Sequence, residues 1–180
     1  MTNLKDLKIY IVDIGSETVD TFSETFKDYS NVTVLLDDLM DFFHEHQDEI
    51  DCLVSPANSF GHMTGGYDAR LSDILGWDFQ LEVQAYINKN FNGEQPVGTS
   101  FIIKTHLPHL SLIHTPTMRY PSRIHDNTVI YRCMESTLLC ALKNNIKCIV
   151  IPVFGGACGG LSPDITSKRM LEAYQDLLKK

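Results

Sequence analysis

The sequence predicts a three-layer α/β/α sandwich built on a mixed, mostly parallel central sheet. Short runs rich in β-branched residues alternate along the chain with segments of helical periodicity. Two of the apolar runs lead into glycine-rich loops, at residues 57–67 and 154–161, and ligands of open α/β sheets bind at such strand ends. The 180 residues, 43% of them hydrophobic and 21% charged, suit one globular domain spanning residues 1–180.

The first part of the chain reads as alternating strands and helices. Strands are predicted over residues 8–14, 32–36 and 51–56. A helix begins after Gly15, where Ser16 and Glu17 provide a cap and an acid for the first turn, and a short helix covers residues 39–47. The third strand leads directly into the first glycine-rich loop, which is where we expect the chemistry.

The second part continues this alternation and makes the sheet mixed. Helices are predicted over residues 68–75, 78–91 and 127–145, and strands over residues 99–104, 110–115 and 147–153. Only a short turn separates the first two of these strands, so they pair antiparallel. The last strand (KCIVIPV) is a continuous apolar run typical of a central strand, and Ser162 and Pro163 then begin the final helix.

The composition argues against several classes of function. With 15 Lys and Arg against 23 Asp and Glu, the formal net charge of −8 disfavours non-specific nucleic-acid binding, so backbone groups must hold any small anion. The five cysteines form no C-x-x-C pair, and no histidine pattern has the spacing of a zinc site, so no metal is expected. No apolar run approaches the roughly 20 residues of a membrane span and no leader is evident, so we expect a cytoplasmic protein without a membrane partner.

The second glycine-rich loop, FGGACGG followed by a capped helix, favours a phosphate cradle. Glycines let backbone N–H groups approach an anion closely, and the N-terminus of a helix favours negative charge. A tight turn is the alternative for each loop taken alone. The loop is not a P-loop, since no Gly-Lys-Ser/Thr follows, and the first strand–helix turn lacks a G-x-G-x-x-G fingerprint.

The order of these segments resembles the macro domain family. Residues 52–68 (CLVSPANSFGHMTGGYD) are similar to the family's V-N-A-A-N segment and glycine run, and Asn58 and Asp68 stand at the family's spacing. Residues 37–39 resemble its Gly-Asp-Ile, residues 113–115 its Ile-His-Thr, and residues 151–160 its Ile-Pro strand with the phosphate loop. Three features depart from the pattern: Ser55 replaces the first Asn, Asp37 replaces the Gly, and the aromatic residue that closes over the distal ribose in many members is replaced near Gly159.

The resemblance implies a protein that binds ADP-ribose or an ADP-ribosylated substrate and uses no cofactor. The residues it assigns to ligand binding are Asp38, Leu39, Ala57, Asn58, Gly65, Gly66, Tyr67, Phe154, Gly155, Gly156, Ala157, Cys158, Gly159 and Gly160. It assigns catalysis to Asn58 and Asp68.

Each singled-out residue also has a structural alternative. Asp38 either accepts a hydrogen bond from the adenine amino group or caps a helix, and Asn58 either binds ribose or closes an Asx-turn. Asp68 either orients the water that attacks the distal ribose or caps the helix that follows. The Cys158 thiol is read as a small loop residue rather than a nucleophile, because no base is positioned beside it in the sequence.

The predicted activity is hydrolysis of an ADP-ribosyl derivative, a mono-ADP-ribosyl protein or O-acetyl-ADP-ribose, at the distal ribose. Asn58 together with Asp68 favours this activity, whereas the departures in the first and second loops leave two alternatives open. One is a phosphatase acting on ADP-ribose 1″-phosphate, and the other is a reader that binds ADP-ribose or a related nucleotide signal without turnover.

Overall fold

The computed structural model describes residues 3–180, which form a sheet of six strands flanked by six α-helices. The strands are β1 (Lys8–Asp13), β2 (Val32–Leu36), β3 (Cys52–Ser55), β4 (Phe101–Lys104), β5 (Ser111–His114) and β6 (Cys148–Ile151). The helices are α1 (Ser16–Thr25), α2 (Leu39–His46), α3 (Gly66–Leu75), α4 (Phe79–Phe91), α5 (Thr128–Lys143) and α6 (Pro163–Leu178), and a 3₁₀ turn (Leu4–Asp6) precedes β1.

The strands lie in the order β2-β1-β6-β3-β5-β4. All neighbours are parallel except β4, which pairs antiparallel with β5. This confirms the predicted mixed, mostly parallel sheet. It also brings the carboxyl ends of β1, β6, β3 and β5 to one edge, where both glycine-rich loops begin.

Two hydrophobic layers cover the sheet, because alternate side chains of each strand point to opposite faces. Helices α1, α5 and α6 pack on one face, against Ile9, Ile11 and Ile149 among others. Helices α2, α3 and α4 pack on the other, where Tyr10, Leu53 and Val150 lie. The three-layer sandwich predicted from the sequence is therefore the observed one.

The two longest helices, α5 and α6, pack against each other on the first of these faces. Each buries one apolar side, and Pro163 begins α6 after Ser162, whose side chain accepts a hydrogen bond from the Ile165 N–H. This is the capped start expected from the sequence. Across residues 3–180, no helix combines the length and the apolar composition needed to cross a membrane.

Proline and glycine set three element boundaries at the site differently from the prediction. Strand β3 stops at Ser55 and β6 at Ile151, each directly before a proline, which has no N–H to continue the ladder. Helix α3 begins at Gly66, which has a left-handed φ of +54°, and its N-cap is Gly65. Asp68 is therefore not the N-cap, and the capping alternative for this residue was wrong.

Candidate functional site

A cleft of about 630 Å³ opens along the carboxyl edge of the sheet. One end of the cleft lies at Asp13, the last residue of β1. From there the cleft passes the loops that follow β6 and β3, and its other end lies at Thr117 and Met118, in the segment that follows β5. The first turn of α6 forms one wall, with Pro163 and Thr166. Both glycine-rich loops thus line one continuous cavity of a size usual for small-ligand sites.

The second loop presents a row of free backbone donors. Among the described residues, none accepts a hydrogen bond from the backbone N–H groups of residues 155–159, whereas those of Gly160 and Leu161 bond within the loop, to Ala157 and Gly155. Free N–H groups lining a cleft are therefore ready to bind an anion.

Glycine is required at two points of this loop for the curl that exposes the donors. Gly155 has φ +76°, a left-handed conformation that favours glycine. A Cβ on Gly159 would lie 2.6 Å from the carbonyl oxygen of Gly155, so no side chain fits there without moving the backbone. The Ile124 N–H donates a hydrogen bond to the Gly159 carbonyl at 2.9 Å and so ties this end of the loop to the segment that precedes α5.

Asn58 organises the first loop from inside. Its Oδ1 accepts hydrogen bonds from the N–H groups of Phe60 (3.1 Å) and His62 (3.4 Å), and its Nδ2 donates to the His62 carbonyl at 3.1 Å. The side chain is only 5% exposed, yet the residue lines the cleft. The Asx-turn predicted as an alternative therefore exists, and one amide hydrogen remains for a ligand.

Asp68 lies in the first turn of α3, where the cleft passes β3. Its Oδ1 accepts a hydrogen bond from the Ser55 hydroxyl at 2.5 Å. Burial raises the pKa of Asp68 to about 7, and the Ser55 hydrogen bond counteracts that rise. A carboxyl group with such a pKa, in a cleft, exchanges protons near neutral pH and has the properties of a general acid or base.

Tyr67 places an unpaired hydroxyl beside this carboxyl. Its Oη is buried and has no hydrogen-bond partner among the described residues, although the residue lines the cleft. Burial raises the pKa of the phenol, and the negative charges of Asp68 and Asp13 add to the rise. The hydroxyl is therefore neutral and available to a ligand or an ordered water.

Asp38 acts as the N-cap of α2, which is the alternative weighed for it from the sequence. Its Oδ1 accepts a hydrogen bond from the Met40 N–H at 2.9 Å, and its Oδ2 lies 3.1 Å from Nε of Arg70. The side chain remains 30% exposed. Asp38 lies outside the residues that line the cleft.

Most of the other sequence-predicted site residues come together in the cleft. Those that line it are Ala57, Asn58, Gly65, Gly66, Tyr67, Asp68, Gly155, Gly156, Ala157, Cys158 and Gly159. Leu39 and Phe154 do not line it, because both side chains are buried in the hydrophobic layers, and Gly160 does not line it although its neighbours Gly159 and Leu161 do. The thiol of Cys158 is exposed at the mouth.

Sequence reasoning missed the residues that β1 and α1 bring to the cleft. Asp13, Ile14 and Thr18 line its end, and the Ile14 side chain is 79% exposed. Oδ1 of Asp13 accepts a hydrogen bond from the Gly15 N–H at 2.8 Å. The turn at Gly15 could have indicated these residues, because it joins a strand to a helix through glycine, as the two glycine-rich loops do.

The cleft lining contains carboxylates but no lysine or arginine. The titratable side chains in it are Asp13, His62, Tyr67, Asp68 and Cys158. Within residues 3–180, no three His, Cys, Asp or Glu side chains lie close enough together to hold a metal ion. An anion in this cleft is thus contacted by backbone dipoles rather than by side-chain cations.

Comparisons with known proteins agree with this geometry. The family model described as Macro domain matches residues 54–170, which include both glycine-rich loops. An uncharacterized protein of Aquifex aeolicus (strain VF5) is 27% identical over 125 residues, covering 69% of this chain and 72% of that protein.

Solved macrodomains share the fold. A mutant of the Oceanobacillus iheyensis macrodomain with ADPR superposes with a TM-score of 0.66 at 17% identity, over 99% of this chain and 83% of that one. The macrodomain of Mycobacterium tuberculosis DarG has a TM-score of 0.61 at 20% identity, over 72% of this chain and 84% of that one. At such identities the likeness concerns the fold alone.

Proposed function

The chain belongs to the macro domain family, and on that premise we propose that its cleft binds ADP-ribose and hydrolyses ADP-ribosyl derivatives at the distal ribose. The observation that carries the proposal is the row of unpaired backbone N–H groups at residues 155–159. The residues that carry them line the same cavity as Asp68, whose carboxyl group is buried. The structure of a related macrodomain with ADPR supports the choice of ligand.

We place the diphosphate on the second loop. Its free N–H groups and the N-terminus of α6 supply the positive ends of dipoles in a cleft without lysine or arginine. The adenosine then extends toward the β1 end, where Ile14 offers an exposed apolar surface for a base. Asp38 follows β2, the neighbour of β1, and Oδ2 of its partly exposed side chain, which Arg70 also contacts, accepts a hydrogen bond from the adenine amino group.

The distal ribose lies in the opposite direction, at the first loop. Here the remaining amide hydrogen of Asn58 donates to a ribose hydroxyl, and Asp68 faces the anomeric carbon. The Asp68 carboxylate takes a proton from a water as the water oxygen bonds to that carbon. The bond from the carbon to the leaving group breaks and its electron pair goes to the leaving group, which takes up the proton that Asp68 removed from the water, so that the carboxylate is restored. The products are ADP-ribose and the free leaving group.

Wild-type protein is expected to bind free ADP-ribose with a Kd in the micromolar range, about −8 kcal/mol, because a preformed cleft offers several backbone donors to the diphosphate. Isothermal titration calorimetry measures this directly. Products from a mono-ADP-ribosylated protein, O-acetyl-ADP-ribose and ADP-ribose 1″-phosphate, followed by mass spectrometry, then identify the substrate.

The same two measurements separate the competing functions. Release of phosphate from ADP-ribose 1″-phosphate alone would identify a phosphatase, and tight binding without any product would identify a reader. No heat of binding at millimolar ADP-ribose contradicts the proposal in every form.

Replacing Asp38 with Asn is expected to weaken ADP-ribose by about 1–3 kcal/mol, the range for a hydrogen bond to a charged group. Asn keeps an oxygen for the Met40 N–H, so the cap of α2 is retained. The hypoxanthine analogue of ADP-ribose, which lacks the amino donor, provides the control ligand. Calorimetry that shows equal losses for both ligands would exclude Asp38 from reading the base.

A further inference from the structure

Ser55 and Asp68 form a buried pair that ties the end of β3 to the start of α3. The Ser55 side chain is fully buried and its hydroxyl donates to Oδ1 of Asp68 at 2.5 Å. Oδ2 of Asp68 accepts no hydrogen bond from the described part of the chain. It is also not among the polar atoms there that are both buried and unpaired, so it remains accessible. Oδ2 is thus the oxygen left to the cleft.

We propose that Ser55 is a positioning residue that holds Oδ1 of Asp68 and so directs Oδ2 at the water used in the reaction. The inference rests on the proposed function for its effect on rate, but the hydrogen bond itself does not. Ser55 stands where the resemblance to macro domains would place an asparagine. This chain thus has a hydroxyl donor in that position, joined to the carboxyl group by a single short contact.

The groups around Asp68 leave Ser55 as its one specific polar partner among the described residues. Neither Tyr67 nor Asp13, which lies farther along the cleft, forms a hydrogen bond with Asp68. The Nδ1 atom of His62 contacts Gln84 of α4 instead. At the surface, Arg70 of α3 pairs with Asp73 of the same helix and with Asp38, the N-cap of α2. The second loop adds only Cys158, which is exposed.

The hydroxyl also affects the protonation of Asp68. A hydrogen bond donated to a carboxylate favours its charged form, so it opposes the effect of burial on the pKa. Removing the hydroxyl leaves burial unopposed, and the carboxyl group then keeps its proton to higher pH. At neutral pH a smaller fraction of Asp68 is available to accept a proton from water.

The test compares Ser55→Ala and Ser55→Thr with the wild type. Ser72→Ala is a matched control, because Ser72 is equally buried and its hydroxyl donates to the Met63 carbonyl instead. The acid limb of the kcat–pH profile of Ser55→Ala should move up by about 1–2 pH units, with a corresponding loss of kcat at neutral pH. ADP-ribose affinity should change less than about threefold, and Ser55→Thr, which keeps the hydroxyl, should restore the profile.

An NMR titration of the Asp68 carboxyl carbon provides a readout independent of turnover. An upward shift of its pKa in Ser55→Ala, absent in Ser72→Ala, supports the inference. An unchanged pKa, or a kcat–pH profile that Ser55→Ala shares with the wild type, overturns it. Wild-type protein that binds ADP-ribose but hydrolyses nothing overturns the proposed activity instead, and the NMR titration then decides on Ser55. Melting curves of all three variants confirm that each is folded.

Discussion

Asp68→Asn is expected to lower the rate of ADP-ribosyl hydrolysis by about 10²- to 10⁴-fold while leaving ADP-ribose affinity nearly unchanged. Asn has the size of Asp and its oxygen still accepts the Ser55 hydroxyl, but it cannot take a proton from water. Binding should be retained, because the proposed function assigns the diphosphate contacts to the second loop. Single-turnover hydrolysis and calorimetry on the same variant measure the two effects.

The same substitution should stabilise the protein at neutral pH. Because burial raises the pKa of Asp68 to about 7, the folded state keeps a proton that the unfolded chain releases near pH 4. The stability associated with this group is therefore fully present below about pH 4 and is lost as the pH rises to about 7. The loss is on the order of a few kcal/mol, since each pKa unit corresponds to about 1.4 kcal/mol.

Asn carries no charge and avoids this loss. Its melting temperature should exceed that of the wild type at pH 8 and match it near pH 4. A wild-type rate in Asp68→Asn would remove Asp68 from the mechanism. A lower melting temperature at both pH values would mean that the carboxylate stabilises the fold, contrary to the pKa shift.

Gly156→Glu is expected to abolish ADP-ribose binding, with a loss of at least about 100-fold in Kd. Gly156 is exposed in the second loop and lines the cleft, so we expect a long side chain there to reach the free N–H groups. The carboxylate would occupy those donors and repel the diphosphate. The backbone φ at this glycine lies outside the left-handed region, and a Cβ there would lie 3.2 Å from Cγ1 of Val153, so we expect the fold to accommodate the change by a small shift of that side chain.

Gly156→Gln is the matched control, because it has nearly the same volume and no charge. It should weaken binding less than Gly156→Glu does, and the difference between the two reports the electrostatic part. Calorimetry gives the affinities and circular dichroism checks the fold. A folded Gly156→Glu variant that binds normally would place the phosphates elsewhere.

The helices and strands were predictable because their signals are local. Apolar runs and helical periodicity located the six strands and six helices, and the antiparallel pairing of β4 with β5 followed from the short connection. The errors lie at boundaries. The third and sixth strands were extended through Pro56 and Pro152, although proline lacks the donor that a parallel ladder needs.

The order of the strands was not predictable from local pattern. Strand β1 lies between β2 and β6, and this pairing depends on contacts between segments far apart in the sequence. The pairing of β1 with β6 brings Asp13 and Ile14, at the end of β1, to the cleft. Without the strand order, the turn after β1 was read only as the start of a helix.

The candidate site was predictable in outline for a different reason. The two glycine-rich loops are recognisable from their composition alone, and both line the observed cleft. Side-chain partners across elements are not visible in this way. The hydrogen bond from Ser55 to Asp68 joins residues 13 positions apart on a strand and a helix. A helix cap was the local alternative considered for Asp68, and the structure replaces it with this pair.

Because backbone dipoles and carboxylates line the cleft, its response to ionic strength should differ from that of a lysine- and arginine-based phosphate site. The dipoles act at contact distance, whereas the net charge of −8 repels an anionic ligand over a Debye length, about 8 Å at physiological ionic strength. Salt screens the repulsion and leaves the contacts intact. The affinity for an anion therefore stays level or rises as salt is added, and the protein recognises its ligand after the encounter rather than attracting it from solution.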